Sequence, residues 1–377
     1  MIQLIYLDYS ATTPVDEEVL QTFIETSRCF IGNPNSLHQL GSSSKQLIDQ
    51  ATKQIATLLG VKPSEIIYTS GSSEANNLAI KGICHQYQNR GKHILTTALE
   101  HASILEPLHY LENEGYEVEY LTLDQNGRVD LDDLKAKLRD DTILVSVASV
   151  SSELGILQPI YEIAQIVSKY PKCFFHSDMT QSIGKVAVPL TGVDLISFSA
   201  HKFYGIKGIG CLIKKEKISL VPLIHGGEST TIYRSGTPAL SLIVSMAKAL
   251  RLALSRLAEQ ESLVKQRHQD CITLLQQIPV VTVNSTSYSI PHIVNFSVEG
   301  IKPETLLHAL EEDEIYISTK SACSGHEKVS GPVYAVTKDE KRAQSSLRVS
   351  ISYMTTTEEI GQFIESLKKA IWRLQMK

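Results

Sequence analysis

The sequence predicts an α/β fold: a large domain built on a mostly parallel sheet, joined to a smaller α+β domain. Three observations carry this. Short β-rich apolar runs recur between Ile66 and Ile213, namely IIYTS, HILTTAL, VEYLTL, TILVSVASV, CFFHSD, LISFSA and GCLIK. Helical patterns separate several of them, and Val/Ile/Leu-rich strands alternating with helices form parallel sheets covered on both faces. The chain has 377 residues, more than one core ordinarily serves, so about two domains are expected.

Each element has a local reason. In EANNLAIKGICHQYQN, Leu78, Ile80, Ile83 and Cys84 fall largely on one side of a helix, and PIYEIAQIVSKY repeats the pattern. One long helix is expected over roughly 238–263, with no strand inside it. Strands follow near HIVNFSV, IYIST and SLRVSIS, and a last helix carries Ile360, Phe363, Ile364, Leu367 and Ile371 on one apolar face. The large domain is assigned to residues 12–250, and the small one to 1–11 and 251–377. Internal repeats and low-complexity tracts are absent.

Composition excludes several classes. Hydrophobic content of 42% and charged content of 20% are those of a globular protein. A net charge of -5 gives no global pull toward nucleic acid or anionic membranes. No apolar run approaches the ~18 residues of a membrane span. The opening MIQLIYLDYSATTP has no basic n-region, which argues against a signal peptide. The six cysteines are spread singly without a CxxC pair. That fits neither zinc nor a disulfide framework, and it suits a reducing cytoplasm.

The polar residues of interest share one kind of position. TSGSSE (Thr69–Glu74) follows a strand and opens a helix, His101 ends HILTTALEH, Asp178 ends CFFHSD, and Lys202 ends LISFSAHK. Ligands of open α/β sheets bind beyond the carboxyl ends of strands. Singly, each feature has an ordinary reading: a Ser/Gly turn is usually a helix cap, a strand-end Asp a turn former, a lone His a structural hydrogen-bonder. Jointly they suit pyridoxal 5'-phosphate. Its aldehyde needs an amine, which Lys202 offers, and its ring nitrogen needs an anion, which Asp178 offers. Its phosphate suits hydroxyls and N–H groups at a helix N-terminus, with Ser199 and His201 beside the lysine, and His101 could stack on the ring. The glycines of SFSAHKFYGIKGIG then let the backbone turn tightly behind a cofactor-bearing lysine.

The motifs YLDYSATTP, GNPNSLH, TSGSSEANNLAIKG, EHASILE, HSDMTQSIGK, SFSAHKFYGIKGIG, RSGTPAL, SAC and SSLRVSIS occur in this order over nearly the whole chain. By them the sequence resembles the NifS/IscS-type cysteine desulfurases, class-V aminotransferase-like enzymes of the pyridoxal phosphate fold type I. The resemblance implies that Lys202 bears the cofactor, Asp178 pairs with the ring nitrogen, His101 stacks, and Gln181 meets the ring hydroxyl. It implies phosphate contacts from Ser72, Ser73, Ser199 and His201, and one from Thr237 given to the neighbouring subunit of a homodimer. It further implies that Arg348 holds the carboxylate of L-cysteine and that Cys323 takes its sulfur as a persulfide for an acceptor protein.

Composition agrees at Cys323. Five of the six cysteines lie in or beside apolar segments, whereas Cys323 lies in the polar, Gly/Ser-rich KSACSGHEKVSG. A loop is expected there, with Lys320 and His326 favouring thiolate.

Three departures accompany the resemblance. Ser151-Ser152-Glu153 stands where the family has Asn-Asn-Glu, so Ser152 replaces an asparagine that touches cofactor and substrate. GGESTTIYRSGT differs from the family loop, with Glu228 and Thr230 at altered places, and Lys320 stands where glycine is common. The sequence stops at Lys377 directly after the last helix, so the tail that docks an iron–sulfur scaffold is expected to be missing. The function expected is cysteine desulfuration for iron–sulfur assembly or tRNA thiolation. The alternatives are a cysteine C–S lyase of the same fold and a weakened homologue acting as a binding partner.

Overall fold

A computed structural model describes residues 4–319 and 329–376. The chain begins with β1 (Ile5–Tyr6), α1 (Glu17–Cys29), α2 (Gln39–Leu59), β2 (Ile66–Thr69) and α3 (Ser72–Gln86). It continues through β3 (His93–Thr96), α4 (Ala102–Glu112), β4 (Glu117–Tyr120), α5 (Leu131–Lys137), β5 (Thr142–Ser146) and α6 (Ile160–Val167). Then come β6 (Phe174–Asp178), β7 (Leu195–Ser199), β8 (Gly210–Lys214), α7 (Leu240–Ser255), α8 (Leu257–Leu275) and β9 (Val281–Val283). The last stretch holds β10 (Ile293–Val298), α9 (Pro303–Glu311), β11 (Ile315–Tyr316), α10 (Gly331–Thr337), α11 (Glu340–Gln344), β12 (Ser346–Ser350) and α12 (Thr357–Gln375).

The seven apolar runs form one seven-stranded sheet in the order β2-β8-β7-β6-β5-β3-β4. Only β8 runs antiparallel to its neighbours; the other pairings are parallel. Successive strand residues point to opposite faces, and here both faces are apolar. Ile67, Ile94, Leu195 and Leu212 pack under α3 and α4, while Tyr68, Leu95, Ile196 and Ile213 pack against the opposite layer with α7.

Two helices differ from the sequence expectation. Helix α3 is buried almost all round, including Ala75, Asn76, Ala79 and Gly82, because it is held between the sheet and α4. The long helix breaks at Arg256, whose φ of -99° and ψ of 0° depart from the regular helix values and end α7. No glycine or proline causes this. Arg256 is tied to Asp16 at 2.8 Å and Glu18 at 2.9 Å, and the apolar faces on either side of it enter different cores.

That second core draws on Ile5 and Leu7 and on residues from Val264 to Ile371. Its antiparallel strands lie in the order β12-β10-β9, and β1 pairs in parallel with β11. The apolar face expected of the last helix is buried in full, and a Thr356–Glu359 capping box starts it. Around β12, Asp8 bridges Ser350 and Ser318 bridges Arg348. The amino-terminal segment then meets the turn after β7 through Ser10, Ala11 and Thr13, at the carboxyl ends of the large sheet.

Candidate active site

A cavity of about 340 Å³ opens beyond the carboxyl ends of β2, β3, β5, β6 and β7, within the size range of small-ligand sites. Lys202 enters it from a single 3-10 turn, Ala200–Lys202, after β7. Its Nζ donates to the Ser10 carbonyl at 2.7 Å and the Ala11 carbonyl at 2.8 Å. The glycines behind it have separate reasons. Gly208 has a φ of +91°, which L side chains rarely adopt, and a Cβ on Gly210 would lie 2.6 Å from the Gly71 backbone. Closeness to Gly71 brings the lysine turn against the start of α3.

Asp178 ends β6 and is buried. It accepts the Thr180 N–H at 2.9 Å and the Asn76 side-chain N–H at 2.8 Å. Asn76 also donates to Ser103 Oγ at 2.9 Å. The ring of His101 is the next link: its Nδ1 accepts the Ser103 N–H at 3.1 Å and contacts Ser103 Oγ at 2.8 Å. His101 is therefore the N-cap of α4 and lies beyond the end of β3, not within the strand. Because Nδ1 accepts a backbone N–H, the network assigns the ring proton to Nε2. Burial lowers the His101 pKa, opposed by the charge of Asp178, so the ring is held neutral.

The first turn of α3 supplies another wall. Its N-cap is Gly71, which offers no side-chain cap; neither Ser72 nor Ser73 caps the helix. The Ser72 N–H donates to Ser199 Oγ at 2.6 Å, and Ser73 is exposed while still lining the cavity. An uncapped helix N-terminus flanked by hydroxyls is suited to a dianionic phosphate. His201 lines the same wall with a pKa lowered to about 4, by burial first and then by Lys202.

Arg348, on β12, closes the opposite side and is 2% exposed. It donates to Asp8 Oδ1 at 2.8 Å and to the Ser152 carbonyl at 2.9 Å, while its Nε is buried without a hydrogen-bond partner. A buried donor without a partner calls for a reason, and a bound acceptor is one. Gln181 completes the wall beside Asp178, donating from Nε2 to the Ser10 carbonyl at 3.0 Å.

The cavity therefore gathers Lys202, His101, Ser72, Ser73, Ser152, Asp178, Gln181, Ser199, His201 and Arg348. Thr237 is exposed and outside it. Cys323, with Lys320 and His326, lies outside the described residues. The chain approaches that segment through Ser318, which exchanges backbone hydrogen bonds with Arg348 at 3.0 and 2.7 Å. Among the other cysteines, Cys84, Cys173, Cys211 and Cys271 are buried, but Cys29 is exposed, unlike the packing role its surroundings suggest.

This donor set fits pyridoxal phosphate: an amine, a buried carboxylate, a neutral imidazole and an uncapped helix end converge on one space. The class-V aminotransferase model matches residues 5–363. The chain belongs to that family. A NifS/IcsS protein homolog from Lactobacillus delbrueckii subsp. bulgaricus is 41% identical over 368 residues, covering 96% of this chain and 95% of its own length. Cysteine desulfurase IscS of Dictyoglomus turgidum is 38% identical, over 98% of this chain and 95% of its own. Among solved structures, a NifS-like protein superposes with a TM-score of 0.92 at 33% identity, covering 100% of both chains. A structure titled SspA in complex with cysteine superposes at 0.81 with 30% identity, covering 93% of this chain and 100% of that one. This class-V aminotransferase fold is thus the NifS-like, fold-type-I architecture, and its cofactor is pyridoxal 5'-phosphate.

Sequence patterns left several members of this class-V site unmarked. Asn76 links Asp178 to His101 through Ser103. Asp8 holds Arg348 across 340 positions of sequence. Asn76 left one trace, a polar residue on an otherwise apolar helix. Asp8 left none.

Proposed function

We propose that this cavity is where L-cysteine is desulfurated, with Lys202, Asp178 and His101 serving the cofactor and Arg348 the substrate. The chain is a pyridoxal-phosphate-dependent cysteine desulfurase. When bound, that cofactor supplies an electron sink that labilises bonds at the α- and β-carbons of an amino acid. Lys202 anchors it and afterwards moves the substrate α-proton. Asp178, fixed by Asn76 and Thr180, holds a positive charge at the ring nitrogen. His101 covers the ring face as a neutral imidazole and offers its Nε2 proton. Arg348 offers its guanidinium to the substrate carboxylate while Asp8 holds it in place.

Sulfur leaves by way of Cys323: its thiolate attacks the cysteine sulfur, the C–S bond breaks, and the carbon fragment takes up a proton to become alanine. Atoms balance, since cysteine plus thiol gives alanine plus persulfide. Ser318 lies five residues before Cys323, a span of at most roughly 18 Å, and its pairing with Arg348 supports a thiol that reaches the cavity. The persulfide then passes to an acceptor protein for iron–sulfur assembly or tRNA thiolation. The observation carrying the reading is the cavity in which Lys202, Asp178, His101 and Arg348 converge.

Three further parts of the reading have their own support. Exposed Ile31, Leu37, Leu40, Ile224 and Ile232 occur in two segments joined by the Asn35–Ser229 contact, an apolar surface suited to a homodimer in which Thr237 serves the neighbouring subunit. The two separate cores support a large and a small domain as expected over 12–250 and over 1–11 with 251–377, but Leu252 and Ala253 still pack in the large core, which moves the division to the helix break at Arg256. The five described cysteines are all free, which supports a reducing cytoplasm, and no described helix is long and apolar enough to cross a membrane.

Cys323→Ser tests the assignment. The variant is expected to bind pyridoxal phosphate normally and yield almost no alanine. The wild type, given sulfur-labelled cysteine without reductant, should carry label on Cys323 that dithiothreitol removes. A serine variant that still turns cysteine into pyruvate and sulfide would make the protein a lyase. A wild type that binds cofactor fully yet forms no persulfide would make it a binding partner.

A further inference from the structure

Lys185 is a second buried lysine beside the cavity, and nothing in the chemistry above uses it. It lies seven residues beyond Asp178 and is 6% exposed. Its Nζ donates to Gln181 Oε1 at 2.7 Å. Burial, followed by the charges of Lys202 and Arg348, pushes its pKa well below the usual value. A lysine held in such a place at a cost in solvation asks for a reason.

Gln181 supplies it. Its Oε1 meets the Lys185 amine, while its Nε2 donates to the Ser10 carbonyl at 3.0 Å, the same carbonyl that accepts from Lys202 at 2.7 Å. Both contacts hold one amide orientation: the Ser10 carbonyl can only accept, and Lys185 Nζ donates to the amide oxygen. Turned over, the amide would set its oxygen against the Ser10 carbonyl and lose the bond from Lys185, so Lys185 adds a second hold on the same orientation. Gln181 lines the cavity beside Asp178, and its nitrogen has a second hydrogen to give.

We propose that Lys185 is a positioning residue that locks the Gln181 amide, so that an N–H, and not the carbonyl oxygen, is offered to the anionic oxygen on the cofactor ring. This rests on pyridoxal phosphate occupying the cavity. A purely structural lysine predicts something different. Replacing a buried polar head group and its partner contact by an apolar chain of similar length can be nearly neutral, and it would leave the bound cofactor unchanged.

The test uses full-length Lys185→Met, stripped of cofactor and titrated with pyridoxal phosphate. Its apo melting temperature should match or exceed that of the wild type. Cofactor binding should weaken about tenfold or more, as when a hydrogen bond to a charged group is lost. The visible band should move to longer wavelength, because the ring oxygen loses a donor that stabilises its charge. Gln181→Met should give the same losses, and the double variant no more than the larger single effect, since both act through one contact. A folded Lys185→Met with wild-type affinity and band position would overturn the proposal, as would additive losses in the double variant. Should Lys185→Met fail to fold, Lys185→Gln decides, because an amide there no longer dictates the orientation of Gln181. A red-shifted band supports the proposal; a wild-type spectrum overturns it. A wild type that develops no visible band would bring down the cofactor reading itself, which is a separate result.

Discussion

The two ends of the seven-stranded sheet each hold a cluster of titratable side chains, and they differ in what is left over. At the amino ends of β3 and β4, His93 Nε2 lies 3.1 Å from Glu119, with Glu117 beside it. Here Thr142 meets His93 Nδ1 at 2.8 Å, and Arg139 grips Glu117 at 3.1 and 2.7 Å and Asp141 at 3.0 and 3.2 Å. The carboxylates face water and have partners. At the carboxyl ends the charged groups are enclosed, the α3 N-terminus has no side-chain cap, and the Nε of Arg348 is orphaned. Residue types alone do not separate the two clusters. Unfilled hydrogen-bonding capacity inside an enclosed space does, because it is costly unless a ligand fills it.

Changes at the carboxyl end should accordingly abolish function, and changes at the amino end should be nearly silent. The largest effect is expected from Lys202→Ala, which removes the cofactor's anchor and the proton carrier together. Alanine production should vanish, and gel filtration should strip the cofactor from the variant but not from the wild type. Retention of both would move the catalytic lysine elsewhere.

A gain is expected at Ser152. Its carbonyl already holds Arg348 at 2.9 Å, so Ser152→Asn keeps that contact and adds reach at the side chain. Turnover should rise by roughly one to two orders of magnitude if the new hydrogen bond to a partly charged group acts only in the transition state. An unchanged rate would mean that another contact already fills the place of the asparagine.

Acid tests the polar interior of the sheet between the two ends. His176 sits between Ser146 and Ser197 at 2.9 Å each, and burial lowers its pKa to about 4. The unfolded value is near 6.5, so between those limits the unfolded chain binds more protons than the folded one. The stability is full above about 6.5 and is lost as pH falls toward 4, by up to about 3 kcal/mol for this group. The melting temperature should drop over that window, and less steeply in His176→Gln. Equal slopes would assign the acid sensitivity to other groups such as His201.

The smallest effect belongs to the amino-end cluster. Glu117→Gln breaks an exposed pair with Arg139, and exposed pairs contribute little. Melting temperature, cofactor affinity and turnover should all match the wild type. Loss of cofactor affinity in this variant would erase the distinction between the two ends.

Much of the architecture was legible because it depends on local pattern. Apolar runs of strand length had to bury both faces, and the period of Ile360, Phe363, Ile364, Leu367 and Ile371 had to give one apolar stripe. The strand-end positions of Asp178 and Lys202 followed from the same pattern, since a parallel sheet brings such ends together. Where local pattern misled, a neighbour was responsible. Arg256 interrupts a helix that its own sequence would continue, because Asp16 and Glu18 hold it. TSGSSE looks like a serine cap, yet Ser199 takes the Ser72 N–H and Gly71 is left as an open cap.

The order of elements, the parallel sheet and the lysine, aspartate and histidine to be brought together were thus determined by the sequence itself, through periodicity and residue chemistry, while the arginine was marked only by the family resemblance. The working state of each was decided only in three dimensions. The tautomer of His101 depends on capping α4, the orientation of Arg348 on Asp8, and the amide edge of Gln181 on Lys185. Each outcome turns on a hydrogen bond of fixed direction at 2.7–3.1 Å. No periodicity along the chain encodes which donor will meet which acceptor at that range; folding alone sets it.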